Sequence, residues 1–144
     1  MLRSITVFLV LGLAIGACSD DEVEPVSVSG TEECVQVAPE GDELVRYECL
    51  ETLDDQRVSG TSTVTVTLVD DSVSPVVDEG GFTLGNDGGS WSGDWSGTIE
   101  EDGTHVTEGV MAGSGGYDGL QYRARWAFTT LGDVEVSGTI ESSS

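Results

Sequence analysis

The chain has 144 residues, and its 27 acidic side chains far outnumber the five basic ones, giving a formal net charge of −22. This balance argues against a nucleic-acid partner, because phosphate binding requires a basic face, and against electrostatic adhesion to anionic lipid. The 20 glycines and only three prolines, among many serines, threonines and valines, favour strands and turns over helices. The length suits one domain.

Residues 1–17 have the pattern of an export signal. Arg3 supplies positive charge, an apolar run follows from Ile5 to Ile15, and Gly16-Ala17 are the small residues that precede a cleavage point. The run is too short for a comfortable membrane span. Ile15-Gly16-Ala17-Cys18 resembles the bacterial lipobox, which implies lipidation of Cys18 and cleavage just before it. The alternative is a plain secretory signal followed by a chance cysteine.

Lipidation of Cys18 predicts a protein of the cell envelope that is anchored without a transmembrane helix, because several acyl chains hold a protein stably on a membrane. In Gram-negative lipoproteins, an aspartate directly after the lipidated cysteine retains the protein in the inner membrane. This chain has Ser19 at that position. By analogy, we predict the outer membrane in such a host. Residues 18–31 contain many acids and few large apolar groups, so we predict a flexible acidic tether. A β domain is then expected over 32–141, with a disordered tail over 142–144.

The two remaining cysteines, Cys34 and Cys49, lie in an exported and oxidising setting. The segment between them has the pattern of a hairpin that turns at Gly41-Asp42, since glycine first in a two-residue loop suits a type II′ turn. That register places Cys34 directly opposite Cys49, within disulfide distance. The same register places Glu40 opposite Glu43, and the repulsion between these two carboxylates argues against it. Free thiols or a metal pair are the alternatives, and without nearby histidine no metal site is expected.

Alternating apolar and polar residues predict further strands downstream of this hairpin. Residues 70–79 have the composition of a loop. Strands are expected near 61–69, 81–85, 90–100, 104–112, 120–131 and 134–141. With the hairpin this makes about eight strands, and the short connections favour antiparallel neighbours. We therefore predict an all-β fold, a single up-and-down antiparallel barrel, with a two-sheet β-sandwich as the alternative.

Aromatic side chains concentrate on one face of two predicted strands. Large and small residues alternate on that face, as they do where inward side chains share a barrel interior. A ligand cavity would be lined by Trp91, Trp95, Tyr122, Trp126 and Phe128. We expect these residues to form an ordinary packed core first, and the ligand cavity is the alternative.

Few residues suggest chemistry. His105 is the single histidine, and we expect it on the surface, on the face opposite Val106, rather than in a catalytic site. The glycine-rich segment 113–119 lacks the following helix and the lysine of a phosphate-binding loop. Acid pairs such as Asp70-Asp71 and Asp78-Glu79 are expected to solvate loops, with calcium binding as the alternative. No catalytic residue and no cofactor is predicted.

Arg123 and Arg125 lie two residues apart and therefore on one face of a predicted strand. Inside the barrel they would form an anion or carboxylate site. The aromatic face of the same strand competes for the interior. Outside the barrel the two arginines would pair with acids on neighbouring strands.

Four segments share a glycine-rich pattern with serine or threonine, and they cover most of the predicted domain. The segments are 57–61, 86–93, 113–120 and 136–140. Together they resemble a family of uncharacterised bacterial exported lipoproteins, with a barrel similar to those of allene oxide cyclases and dirigent proteins. The resemblance implies a β-barrel. It carries over no catalytic residue, since no position matches an active-site motif.

Two functions remain from the sequence. The first is a membrane-anchored, non-catalytic binding or structural module, expected to be a monomer. The second is a cyclase- or isomerase-type barrel enzyme acting on a small apolar ligand among the aromatic residues. A large internal cavity with a buried acid would favour the second, and a filled core the first. An envelope protein that acts through its acidic surface and divalent cations ranks behind both.

Overall fold

The computed structural model describes residues 23–129 and 133–144, and the predicted export signal with Cys18 lies outside them. The described chain is one closed antiparallel barrel in which eight strands pair in sequence order and the last pairs with the first. The strands are β1 (Val26–Val37), β2 (Val45–Leu53), β3 (Gly60–Asp70), β4 (Val76–Asn86), β5 (Gly89–Ile99), β6 (His105–Gly115), β7 (Leu120–Phe128) and β8 (Val134–Ser142). The predicted up-and-down barrel is confirmed, and the sandwich is excluded. No helix in the described ranges is long and apolar enough to cross a membrane.

The barrel begins before the predicted domain boundary. Residues 26–31, predicted as the end of a flexible tether, belong to β1 and pair with β8, from Val26 opposite Ile140 onward. Without this pairing β8 would present an open edge, so closure of the barrel holds the segment in place. At the other terminus β8 includes Ser142, and the Ser143 N–H donates to the Gly119 carbonyl. Most of the predicted disordered tail is therefore bound.

β4 also begins earlier than predicted, at Val76 inside the expected loop. Asp78 pairs with Val69 of β3 and Gly97 of β5, and its side chain points into the barrel, where it is buried. The expectation that Asp78 solvates a loop is wrong. Strand pairing on both sides fixes this segment, although its own composition is that of a turn.

The β1–β2 hairpin has the predicted register, with Cys34 opposite Cys49 and a disulfide between them. Gly41 has a φ of +59°, and no described residue other than glycine has a positive φ. The turn is therefore type II′, in which only the first central residue is left-handed. The two glutamates that were expected to repel each other both approach Arg46, whose Nη1 lies 3.5 and 2.9 Å from their carboxylate oxygens.

The interior is packed at one end of the barrel and hollow at the other. A short 3₁₀ helix, Gln56–Val58, closes the end where β1 begins, and we term this the helix end. There Trp91 donates its indole N–H to the Arg57 carbonyl at 2.7 Å and stacks on Tyr117, with ring centroids 5.1 Å apart. The opposite end, where β1 finishes, contains a cavity, and we term it the cavity end.

Candidate functional site

A cavity of about 280 Å³ occupies the interior at the cavity end. This is close to the lower limit of pockets that hold small molecules, roughly 300 Å³. Much of its wall is apolar and aromatic, including Val64, Val66, Phe82, Trp95, Trp126 and Phe128. Polar side chains reach it at a few points only, among them Glu32, Tyr47, Asp78, His105 and Thr107. An apolar chamber with a few polar groups is the usual form of a small-molecule site.

The predicted aromatic residues divide between the cavity and the packed half. Trp95, Trp126 and Phe128 line the cavity. The Trp95 indole N–H donates to the Gly81 carbonyl at 3.1 Å, which fixes the orientation of that ring. Trp91 and Tyr122 also point inward, but they are buried among other side chains, with their ring centroids 5.9 Å apart. The alternation along each strand predicted that these aromatic side chains share one face. It did not predict which of them lie at the cavity end and which in the packed half.

His105 and Asp78 form a hydrogen-bonded pair in the cavity wall. The His105 Nε2 lies 2.8 Å from Oδ2 and 3.0 Å from Oδ1 of Asp78. The two residues stand on β6 and β4, and Gly97 lies between them on β5. A Cβ at Gly97 would lie 2.6 Å from the Asp78 Oδ1, so the missing side chain leaves room for the pair. The Phe128 ring packs on the imidazole, with centroids 4.6 Å apart.

The expectation of a surface histidine is wrong. On β6 the register places Thr107 opposite Gly97 and Trp126, so that Thr107 and His105 point inward. Val106, on the other face, is only half-buried. In this part of β6 the apolar Val106 therefore faces outward and the polar residues face inward. The orientation of His105 was predicted from the opposite assumption, that the apolar side chain points into the barrel.

Glu32 and Glu51 oppose each other on β1 and β2, and both point into the barrel, where they are 4% and 3% exposed. Burial raises the pKa of Glu32 to about 7, against the lowering effect of its hydrogen bond with Glu51. Burial also raises the pKa of Glu51 to about 9, and the charge of Glu32 adds to the rise. Two carboxyl groups share a hydrogen bond only if one carries a proton. We therefore assign that proton to Glu51 at neutral pH, with Glu32 as the member that ionises first.

Three buried polar atoms around this pair have no hydrogen-bond partner among the described residues: Glu51 Oε2, Tyr122 Oη and Trp126 Nε1. The Trp126 indole nevertheless lowers the pKa of Glu51, and the Ser62 hydroxyl donates to Glu51 Oε1 at 3.3 Å. Burial and the neighbouring acids raise the pKa of Tyr122, so this phenol stays neutral. We term Glu32, Glu51, Tyr122 and Trp126 the carboxyl cluster. Each unpaired group costs about 1–3 kcal/mol, so the cluster is expensive for a purely structural core.

The disulfide borders the carboxyl cluster, because Glu32 Oε1 lies 2.8 Å from Cys34 Sγ. A disulfide sulfur carries no proton, so the hydrogen bond forms only when Glu32 is protonated and donates. Glu32, Cys34 and Cys49 also lie close enough together to suggest a metal site. Metal binding requires thiolates, and the two sulfurs are bonded to each other. The oxidised protein therefore does not offer this ligand set.

Arg123 and Arg125 point outward, with side chains that are 57% and 49% exposed. Arg123 Nε lies 2.6 Å from Glu141 Oε1, and Arg125 Nε lies 3.9 Å from Glu108 Oε1. The buried residues of β7 alternate with them, so the aromatic face occupies the interior. An internal anion site at the two arginines is therefore excluded.

Sequence reasoning missed Glu32, Glu51 and Asp78 as interior residues. A partial signal was present, because each glutamate is two residues from a cysteine of the predicted disulfide and so shares its face. That spacing does not say which face is inside.

Comparison of the chain with protein-family models, curated proteins and solved structures gives no match. The resemblance to allene oxide cyclase and dirigent barrels therefore stays a prediction.

Proposed function

We propose that this chain is an exported, lipid-anchored barrel that binds a small, mainly apolar molecule in the cavity. The observation that carries the proposal is the chamber of about 280 Å³, walled by aromatic and branched side chains, in a barrel whose other half is packed. Unfilled apolar space lowers stability by about 24 cal/mol per Å³. A ligand would recover part of this loss through burial of its own apolar surface, at about 25 cal/mol per Å².

Anchoring of the barrel is supported by the resemblance of Ile15-Gly16-Ala17-Cys18 to a lipobox. β1 begins at Val26, at the helix end, only a short segment after Cys18 in the sequence. A lipid on Cys18 would therefore hold the barrel by its helix end. The cavity end would point away from the membrane, and the ligand would arrive from the aqueous side.

Binding is tested by titrating the full chain with small ring compounds, such as benzyl alcohol and cyclohexanol, while tryptophan fluorescence is recorded. Trp95 and Trp126 line the cavity, so a bound molecule is expected to change their emission. Val66→Phe fills the cavity and should weaken binding roughly tenfold or more. Leu68→Phe places the same phenyl ring at an exposed position of the same strand and should leave binding unchanged. Absence of binding to the unmodified chain, or full binding to Val66→Phe, would refute the proposal.

A second candidate function is proton transfer by a cyclase- or isomerase-type enzyme, and the pairing of His105 with Asp78 inside the cavity favours it. The Asp78 carboxylate accepts the Nε2–H, which leaves Nδ1 of His105 to take a proton from a bound molecule. Glu32, on another part of the same wall, would supply an acid when protonated.

This second function is tested with an enolisable probe, cyclohexanone in D₂O, by following deuterium uptake beside the carbonyl by mass spectrometry. We expect faster uptake with the protein than with buffer, and loss of this excess in His105→Asn. Benzyl alcohol binding serves as the control, because it should survive the substitution. Equal uptake with the unmodified chain and with His105→Asn would exclude His105 as the base.

A further inference from the structure

The carboxyl cluster is a polar site in the wall of an otherwise apolar chamber. Glu32 lines the cavity, and Glu51, which lies opposite it on β2, does not. The Trp126 ring, also in the cavity wall, belongs to the same cluster. Binding of a purely apolar molecule makes no use of these groups.

We propose that the ligand of the cavity is a small organic amine, whose ammonium group binds the Glu32 carboxylate and whose apolar body lies among the aromatic side chains. This inference rests on the proposed binding function, because it assigns a ligand class to the same cavity. An ammonium group near an indole face also gains cation–π attraction when it is desolvated.

The distribution of charge selects a cation over an anion. The inward ionisable groups at the cavity end are carboxyls, apart from Tyr47 and from His105, which is already bound to Asp78. No arginine of the described residues lines the cavity. The net charge of −22 attracts cations from solution at long range. An anionic ligand would meet repulsion without a compensating group.

An independent observation indicates that the site lacks a partner. Glu51 Oε2 is a buried acceptor without a hydrogen-bond partner among the described residues. Buried polar atoms are normally satisfied, and a carboxyl pair with an unused oxygen is the complement of a hydrogen-bond donor. An ammonium group has three such donors. It can therefore bind Glu32, the member of the pair that lines the cavity.

Binding of the ammonium ion is linked to proton release. While Glu32 is protonated the pair holds two protons. Glu32 must release its proton to solvent before its charge can balance that of the ligand, and Glu51 keeps its own. Burial raises the pKa of Glu32 to about 7, so the affinity for an amine should rise as the pH is raised through this value. Apart from this proton transfer to solvent, no covalent bond forms or breaks. The other titratable groups that face Glu32 are Glu51 and Tyr47 on β2, Asp78 on β4, His105 on β6 and Tyr122 on β7.

The experiment compares benzylamine with benzyl alcohol, which have nearly the same shape, by calorimetric titration of the full chain at about pH 8, where Glu32 is ionised. We expect the amine to bind roughly tenfold more tightly or better. Glu32→Gln should abolish this preference, while its binding of benzyl alcohol should remain. Glu33→Gln, which removes the same charge from the adjacent exposed residue, should retain the preference.

The outcomes separate the two proposals. If the alcohol binds as tightly as the amine, the amine inference fails and the apolar binding function stands. If neither compound binds, both fail. A preference for the amine that survives in a folded Glu32→Gln variant also overturns the inference. Should that variant not fold, the unmodified chain decides, because its preference must vanish at about pH 5.5, where Glu32 is protonated.

Discussion

His105 of β6 and Asp78 of β4 bond to each other across β5, where Gly97 is the residue opposite Asp78. The alternation of tryptophan and glycine along β5 thus has two effects. Its tryptophans fill the interior, and its glycine at the cavity end leaves the space in which the histidine and the carboxylate meet.

Gly97→Ala should break the His105–Asp78 pair. The new Cβ would lie 2.6 Å from Asp78 Oδ1 and 2.5 Å from Thr107 Cγ2, so the side chains must separate. We expect a loss of about 1–3 kcal/mol in the free energy of unfolding and a changed imidazole signal in NMR spectra. Gly85→Ala is the control, because a Cβ there meets nothing within 4 Å. Equal stability of the two variants would contradict the geometry at Gly97.

The barrel should lose stability as the pH rises from about 5 to 9. Burial places the folded pKa values of Glu32 and Glu51, about 7 and about 9, above their ordinary value of 4.5. Folding therefore favours the protonated carboxyl groups. Their full contribution to the free energy of unfolding is present below about pH 4.5, and it is lost as the pH rises through their pKa values in the folded protein. For Glu32 alone the loss is on the order of 3 kcal/mol. Urea unfolding at several pH values measures it.

The matched variants for this pH dependence are Glu32→Gln and Glu33→Gln. Each removes one negative charge, but only the first residue is buried. Glu32→Gln should flatten the decline in stability, whereas Glu33→Gln should leave it nearly unchanged. The same decline in both variants would assign it to general charge repulsion.

Removal of the disulfide should lower the free energy of unfolding by about 3 kcal/mol, since the bond joins residues 15 apart and restricts the unfolded chain. The double variant Cys34→Ala/Cys49→Ala, unfolded in urea, measures this change. Reduction of this bond should raise the mass of the intact chain by that of two hydrogen atoms. Unchanged stability would show that the bond contributes nothing beyond the β1–β2 pairing.

A chain that starts at Glu32 should fail to form the closed barrel, whereas one that starts at Val23 should form it. The shorter chain lacks residues 26–31, which pair with β8, and the hydrogen bond from the Ser29 N–H to Asp54 Oδ1. Loss of these contacts opens an edge on β8, which favours aggregation. Size-exclusion chromatography and circular dichroism of the two chains distinguish the outcomes. Identical behaviour would restore Glu32 as the domain boundary.

The site was only partly predictable from the sequence. Trp95, Trp126 and Phe128 were expected inside the barrel, in a packed core or in a cavity wall, because their alternation identifies one shared face. The polar groups were not expected there. Glu32, Glu51 and Asp78 are acids, which are rarely buried, and His105 has an apolar neighbour that competes for the interior.

By itself the sequence determined the class of fold, the approximate number of strands and the register of the β1–β2 hairpin. These depend on local rules: side chains alternate with period two, and turn residues set the connections. The tertiary structure alone decided which face of β6 points inward, where β1 and β4 begin, and that Glu32, Glu51 and the Asp78–His105 pair share one cavity. The physical reason is that alternation assigns residues to a common face, but only pairing with distant strands and closure of β8 on β1 decide which face is inside.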